Sequence, residues 1–170
     1  MYICPRCGAV SSIVSSGTGF RCTQCGLTGT YNEDLTFSFD DSSVKIRLMS
    51  EWLDMQKEHV ERVVTDYDQY IFEDDGVRFT ISDRSIGKRV ILGIGYLRLD
   101  RNAVSFCMSN GNERTLELSS IDIVSPVSGR KLIISTRENS YFLIGAKGFN
   151  PYKYTQAIYY LKGEGLREVK

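Results

Sequence analysis

Four of the five cysteines fall at the very start of this 170-residue chain, and they constrain its fold more than any other feature. Cys4 and Cys7 stand in C-P-R-C-G, Cys22 and Cys25 in C-T-Q-C-G, and fourteen residues separate the two pairs. A two-residue gap lets both thiolates of a pair face one ion. The glycine after each pair, Gly8 or Gly26, can take the left-handed conformation that turns a backbone amide toward sulfur. Two such knuckles supply the closed four-sulfur shell of a structural zinc site, one ion per chain. The intervening S-S-I-V-S-S-G-T-G-F carries Gly17 and Gly19 and predicts a short hairpin between the knuckles. Residues 1–39 therefore read as a zinc ribbon with Cys4, Cys7, Cys22 and Cys25 as metal ligands.

Other uses of these cysteines fit less well. A disulfide framework belongs to an oxidising compartment, and duplicated C-x-x-C-G is a metal pattern. A redox C-x-x-C needs one pair at a helix start, within a βαβ unit that is not seen here. Iron bound in the rubredoxin manner uses the same four thiolates. Cys107, in A-V-S-F-C-M, reads as a small buried residue of a strand.

The net charge is zero, with 21 basic and 21 acidic residues, but the charges are segregated. Residues 35–75 hold 4 basic and 11 acidic residues, whereas 76–170 hold 15 and 8. Wholesale nucleic-acid binding loses its usual argument. The ribbon itself carries only Arg6 and Arg21 as cations, so it neutralises few phosphates. No apolar run reaches the ~18 residues of a membrane span, and no signal-peptide pattern opens the chain.

Residues 28–39 alternate with aromatics and predict a strand extending the ribbon. D-D-S-S at 40–43 reads as a polar break suited to a domain boundary. Within a 40–68 linker, Ser50 opens an amphipathic helix running to Val64, with Trp52, Met55, Gln56, His59, Val60 and Val63 on one face. Trp52 is expected either to dock that helix on the following domain or to serve as an interface residue. E-D-D at 73–75 reads as a solvated turn.

From residue 69 the period becomes that of strands. Runs at 70–73, 77–82, 88–99, 103–108, 113–118, 121–125, 131–136 and 140–145 are separated by turn signals such as D-D-G and S-N-G-N. G-I-G-Y at 93–96 reads as a bulge or close-packing site. Asn150 and Pro151 then cap a helix with Tyr154, Ala157, Ile158 and Leu161 on one face, stopped at Gly163. The expected class is mainly β (α+β). It comprises the ribbon, the helical linker and, over 69–170, an antiparallel barrel closed by a helix. That order of elements resembles the pleckstrin-homology-like arrangement.

Taken together, Y-I-C-P-R-C-G, F-R-C-T-Q-C-G-L-T-G-T-Y-N-E-D-L-T-F, E-W-L-D-M-Q-K and F-N-P-Y-K-Y-T-Q-A-I-Y-Y-L-K are similar to the C-terminal extension of Firmicute 1-acyl-glycerol-3-phosphate (phospholipid/glycerol) acyltransferases. The resemblance implies an accessory region of a phospholipid-metabolism enzyme, whose partner is an acyltransferase domain lying elsewhere. It also implies that Met1 begins a fragment or a lone copy. The catalytic H-x-x-x-x-D of that family is not matched, because the single histidine, His59, is followed by Val64 at the aspartate position.

A non-catalytic docking module is therefore expected, in the cytoplasm or at the inner face of a membrane. Its partner is a protein or an anionic lipid surface. Lys88, Arg89, Arg98, Arg101, Arg130, Lys131 and Lys147, at strand ends and turns, are the candidate anion-binding residues. The alternative is a zinc ribbon that binds nucleic acid or polymerase. An independent enzyme has the least support: there is no second histidine, and the acidic pairs Asp40–Asp41 and Asp74–Asp75 lack a partner to tune them.

Overall fold

A computed structural model describes residues 1–66, 69–83 and 87–163. Residues 67–68 and 164–170, which end the expected 40–68 and 69–170 segments, lie outside the described residues. The fold is mainly β, of the α+β class, with two antiparallel sheets and two helices. It divides into two compact units, Met1–His59 and Val60–Lys170.

The first unit is a four-stranded sheet in sequential order, β1 (Ile13–Ser16), β2 (Gly19–Cys22), β3 (Thr28–Tyr31) and β4 (Phe37–Phe39). The hairpin expected between the knuckles is β1–β2, turning at Gly17 with φ +59°. The single strand expected over 28–39 is instead a second hairpin. Asp34 breaks it, because its Oδ1 accepts hydrogen bonds from the Thr36 amide and hydroxyl while Leu35 adopts φ +65°. The polar break at 40–43 belongs to this unit: Asp40 Oδ1 accepts the Thr28 amide at 3.0 Å, and Asp41 pairs with Arg6 at 3.3 Å.

Helix α1 spans Met49–Asp66 and begins one residue before Ser50. Its start is set by Glu51, whose Oε2 accepts the amides of Arg47 (2.6 Å) and Leu48 (2.9 Å), satisfying donors that a helix start leaves open. Trp52 does not project as an interface residue, and its contacts are not those of a ring docked on the second domain. It is 1% exposed, its ring centroid lies 5.0–5.7 Å from those of Phe20, Phe37 and Phe39, and its indole N–H donates to the Ile3 carbonyl at 2.9 Å. The alternating aromatics of β2 and β4 had already provided its apolar site, and the Ile3 carbonyl satisfies its one polar group.

The second unit is one seven-stranded antiparallel sheet ordered β8-β7-β6-β5-β11-β10-β9. These strands are β5 (Phe72–Asp83), β6 (Arg89–Leu99), β7 (Ala103–Met108), β8 (Glu113–Glu117), β9 (Ile121–Ser128), β10 (Lys131–Thr136) and β11 (Asn139–Ile144). The runs at 70–73 and 77–82 are a single strand, kinked by a register shift between Asp74 and Val77 where Gly76 takes φ +68°. The G-I-G-Y segment is a bulge and a close approach, as expected. Register shifts beside Gly93, and a Cβ on Gly95 would lie 2.0 Å from the Cys107 carbonyl oxygen. Buried residues alternate with more exposed ones along β7 and β11. Phe79 stacks on Phe106 with centroids 5.0 Å apart, among buried Val77, Leu97, Leu132 and Leu143.

Helix α2 (Pro151–Leu161) starts as the sequence indicates, the Asn150 side chain accepting the Tyr152 amide at 3.0 Å. It is fixed by a buried polar cluster that the sequence did not announce. Asp74 is not in a solvated turn: its Oδ2 accepts both the Lys153 ammonium and the Tyr154 hydroxyl at 2.7 Å. Lys153 is 5% exposed and lies 5.1 Å from the Phe72 ring centroid, so its charge is compensated chiefly by this carboxylate. Burial first, then the neighbouring Asp74, pushes the Tyr154 hydroxyl well above its ordinary pKa, so it remains a donor.

Removing one partner of a buried pair strands the other's charge. Asp74→Ala should therefore lower the stability of the second unit by about 3–5 kcal/mol, and adding Lys153→Met should recover most of that loss. Urea unfolding followed by near-ultraviolet circular dichroism of the tyrosines measures both. A loss below about 1 kcal/mol would mean the pair does not anchor α2.

Candidate metal centre

The two knuckles bring the four expected ligands together. Gly8 and Gly26 adopt φ +71° and +78°, and their amides donate to the carbonyls of Cys4 (2.9 Å) and Cys22 (3.1 Å), closing each C-x-x-C turn. In this conformation the amides of Arg6 and Cys7 point at the Cys4 sulfur, those of Gln24 and Cys25 at the Cys22 sulfur, and that of Ala9 at the Cys7 sulfur. Five N–H dipoles thus face the cluster and favour thiolates over thiols.

The sulfurs of Cys4, Cys7, Cys22 and Cys25 all lie within 4.8 Å of one another. Across the knuckles, Cys4 Sγ is 3.6 Å from Cys25 Sγ and Cys7 Sγ is 3.8 Å from Cys22 Sγ. These separations exceed a disulfide bond of about 2.05 Å by far. They fit a metal, since four sulfurs about 2.3 Å from a zinc ion stand about 3.8 Å apart at the corners of a tetrahedron. The cluster is therefore a possible metal site in which all four positions are taken by sulfur.

Its electrostatics are uneven. Burial pushes the Cys4 thiol up to about 12. Burial also acts upward on Cys22, but its hydrogen bonding with Ser12 and the amides of Cys25 and Gln24 outweighs it and brings that thiol down to about 6. Cys4, Cys22 and Leu27 form a small buried core, and Cys7 lies at the surface.

Helix α1 is bonded directly to the first knuckle. Gln56 Oε1 accepts the amides of Tyr2 (2.7 Å) and Ile3 (3.3 Å), and Trp52 holds the Ile3 carbonyl from the preceding turn. Residues 52 and 56 are one helical turn apart, so together they pair the strand-like segment before Cys4. The sequence placed Trp52 and Gln56 on one apolar face; what it lacked was the peptide group they grip. Gln56 was the available clue, being a polar residue within that face.

The candidate cations scatter. Arg98 is neutralised by Glu73 and lies over the rings of Tyr70 and Tyr96, and Arg101 donates to the Thr65 carbonyl at 2.6 Å. Lys88, Arg130 and Lys147 are exposed outside the strands. Only Arg89 and Lys131 share a site, an open groove of about 370 Å³ in the second unit, where they are joined by Arg78. Arg78 was missed because it sits in mid-strand, whereas the sequence reading favoured turns. Cys107 is not fully buried; it lies between Arg98 (3.6 Å) and Glu113 (3.5 Å) on the outward face of β7, and burial raises its thiol above the ordinary value.

Compared with models of known protein families and with curated proteins, the chain matches none. Among the described residues, no helix is long and apolar enough to cross a membrane.

Two measurements bear on this site. Cys22→Ser, or chelation, should abolish metal binding and release Trp52 from its aromatic cluster, read as red-shifted and readily quenched emission. Hydrogen exchange of β5–β11 should stay as slow as before, because a ribbon lacks a core to fold without its metal whereas the second unit has one. Gln56→Ala should leave metal stoichiometry intact but cost about 1–3 kcal/mol, since it leaves buried Tyr2 and Ile3 amides unpaired. An unchanged Trp52 spectrum after metal loss would separate the helix from the metal centre.

Proposed function

We propose that this chain is a non-catalytic docking module whose ribbon is held by one structural zinc ion. The observation that carries the reading is the four-sulfur cluster, for which zinc is the metal best suited. An ion with four thiolate ligands has no open position for water or substrate, so its role is to build the unit around it. A catalytic function is further disfavoured by the surroundings of the single histidine, His59, which lacks the aspartate that the resembled acyltransferases place five residues on.

Docking is supported by the second unit. Its seven strands in the order β8-β7-β6-β5-β11-β10-β9, followed by a helix, suit a pleckstrin-homology-like fold, a frame whose outer surfaces are available for partners. We further propose the accessory region of a 1-acyl-glycerol-3-phosphate acyltransferase as its setting, with docking to the catalytic domain or another protein at the cytoplasmic side of a membrane. The similarity of the ribbon, the E-W-L-D-M-Q-K helix and the terminal F-N-P-Y-K-Y-T-Q-A-I-Y-Y-L-K helix supports that setting. A nucleic-acid role draws little support from the ribbon, where Arg6 is already paired with Asp41.

The purified chain should carry about one zinc ion and no iron. Supplied with lysophosphatidate and an acyl donor, it should show no acyl transfer above the uncatalysed rate. Measurable turnover would refute the non-catalytic reading, and a red iron-bearing protein would refute the metal assignment.

A further inference from the structure

The outward face of the second unit's sheet carries a pattern that its own fold does not use. Register places Ile91, Thr80, Phe142 and Ile133 side by side across β6, β5, β11 and β10, so their side chains form one row on the same face. The residues between them along the strands, such as Phe79, Leu132 and Leu143, point into the core. The next row on one side holds Ile94, Arg78, Ile144 and Lys131; the row on the other side begins with Arg89, whose guanidinium lies 4.4 Å from the Phe142 ring centroid. Cations thus edge the row on both sides, and its members Thr80, Phe142 and Ile133 line the groove of about 370 Å³, with Ile91 exposed beyond its lining.

The strip and the row beside it are exposed where a core would be covered: Ile91 in the strip is 69% and Ile94 in the neighbouring row 52% accessible. Its cations also have no acidic partner among the described residues, and Arg89 instead lies over the Phe142 ring. Among the described residues, the ion pairs are Arg6–Asp41, Arg98–Glu73 and Lys153–Asp74, and no acidic side chain lines the groove. Three like charges held around an apolar floor repel one another and raise the free energy of the unbound face, so an anionic occupant gains from each of them.

We propose that this face binds an acidic amphipathic helix of a partner protein. The strip crosses four strands, about 14 Å at 4.8 Å per strand, which is the length of about three helical turns. An apolar stripe on such a helix would lie on Ile133 and Ile91, and on Phe142 once the Arg89 guanidinium that covers its ring turns to a carboxylate, while further carboxylates would meet Arg78 and Lys131 on the other edge. This is helix-in-groove recognition. The inference rests on the docking reading and names its face and the chemistry of its partner.

The test uses the full chain and a synthetic helical peptide with a leucine stripe flanked by glutamates. The peptide should bind, shift the amide resonances of Phe142, Ile133 and Ile91, and weaken severalfold as salt rises through the range in which exposed charges are screened. Arg78→Glu with Lys131→Glu should weaken it at least tenfold, whereas Lys57→Glu on α1 should not. The same double variant should in turn bind a peptide whose glutamates are replaced by lysine, a gain that misfolding would not produce. No binding, binding indifferent to the double variant, or binding of phosphatidylglycerol vesicles in place of the peptide would each overturn the proposal. Those results would leave the acyl-transfer assay unchanged. Turnover in that assay would strike the docking reading itself, whatever the peptide does.

Discussion

Four thiol groups gathered within 4.8 Å of one another are the constraint on which the first unit depends. A segment of this size with strands of three and four residues cannot bury enough apolar surface to offset its chain entropy. The cluster also concentrates the cost of its own assembly, since four thiolates repel unless a cation sits among them. A metal ion held by the four sulfurs would reverse that sign and make the least favourable part of the unit its anchor. The remaining contacts are then local consequences. The knuckle turns fix the segment before Cys4, that segment presents two amides and a carbonyl, and Gln56 and Trp52 of α1 close on them.

The second unit has a larger apolar core. Its seven-stranded sheet buries Phe79, Leu97, Phe106, Leu132 and Leu143, and α2 is secured by the Asp74–Lys153 pair and the Tyr154 hydroxyl. Desolvating two charges costs several kcal/mol, so this pair adds less to net stability than to the choice of where α2 sits. Burial of the inward row leaves the outward row free to vary, and there apolar residues and cations have accumulated together. The core explains Phe79 and Leu143; it gives no reason for Ile91, Phe142 and Arg78.

Local chemistry was legible in the sequence, and long-range partners were not. The cysteine spacing, the left-handed glycines, the Asn150–Pro151 start and the Gly93–Gly95 irregularity each follow from a few adjacent residues. The split of 28–39 into a hairpin was hidden because Asp34 acts through hydrogen bonds to Thr36, which alternation of aromatics does not reveal. Asp74 looked like a turn residue because its partners, Lys153 and Tyr154, lie some eighty residues later. Trp52 carried a correct message, that its face is buried, without saying against what. The aromatic residues of the preceding hairpins were nearest in sequence, and they are what buries it. Arg78 gave no sign at all until strand register set it beside Lys131 across β11.

If a single ion with an all-sulfur shell organises the first unit, X-ray absorption at the metal edge of the purified chain should show zinc with four sulfur neighbours at about 2.3 Å and no oxygen or nitrogen bound to it. A shell containing an oxygen or nitrogen ligand would contradict it, because one of the four cysteines would then be unbound and a coordination position would be open to chemistry.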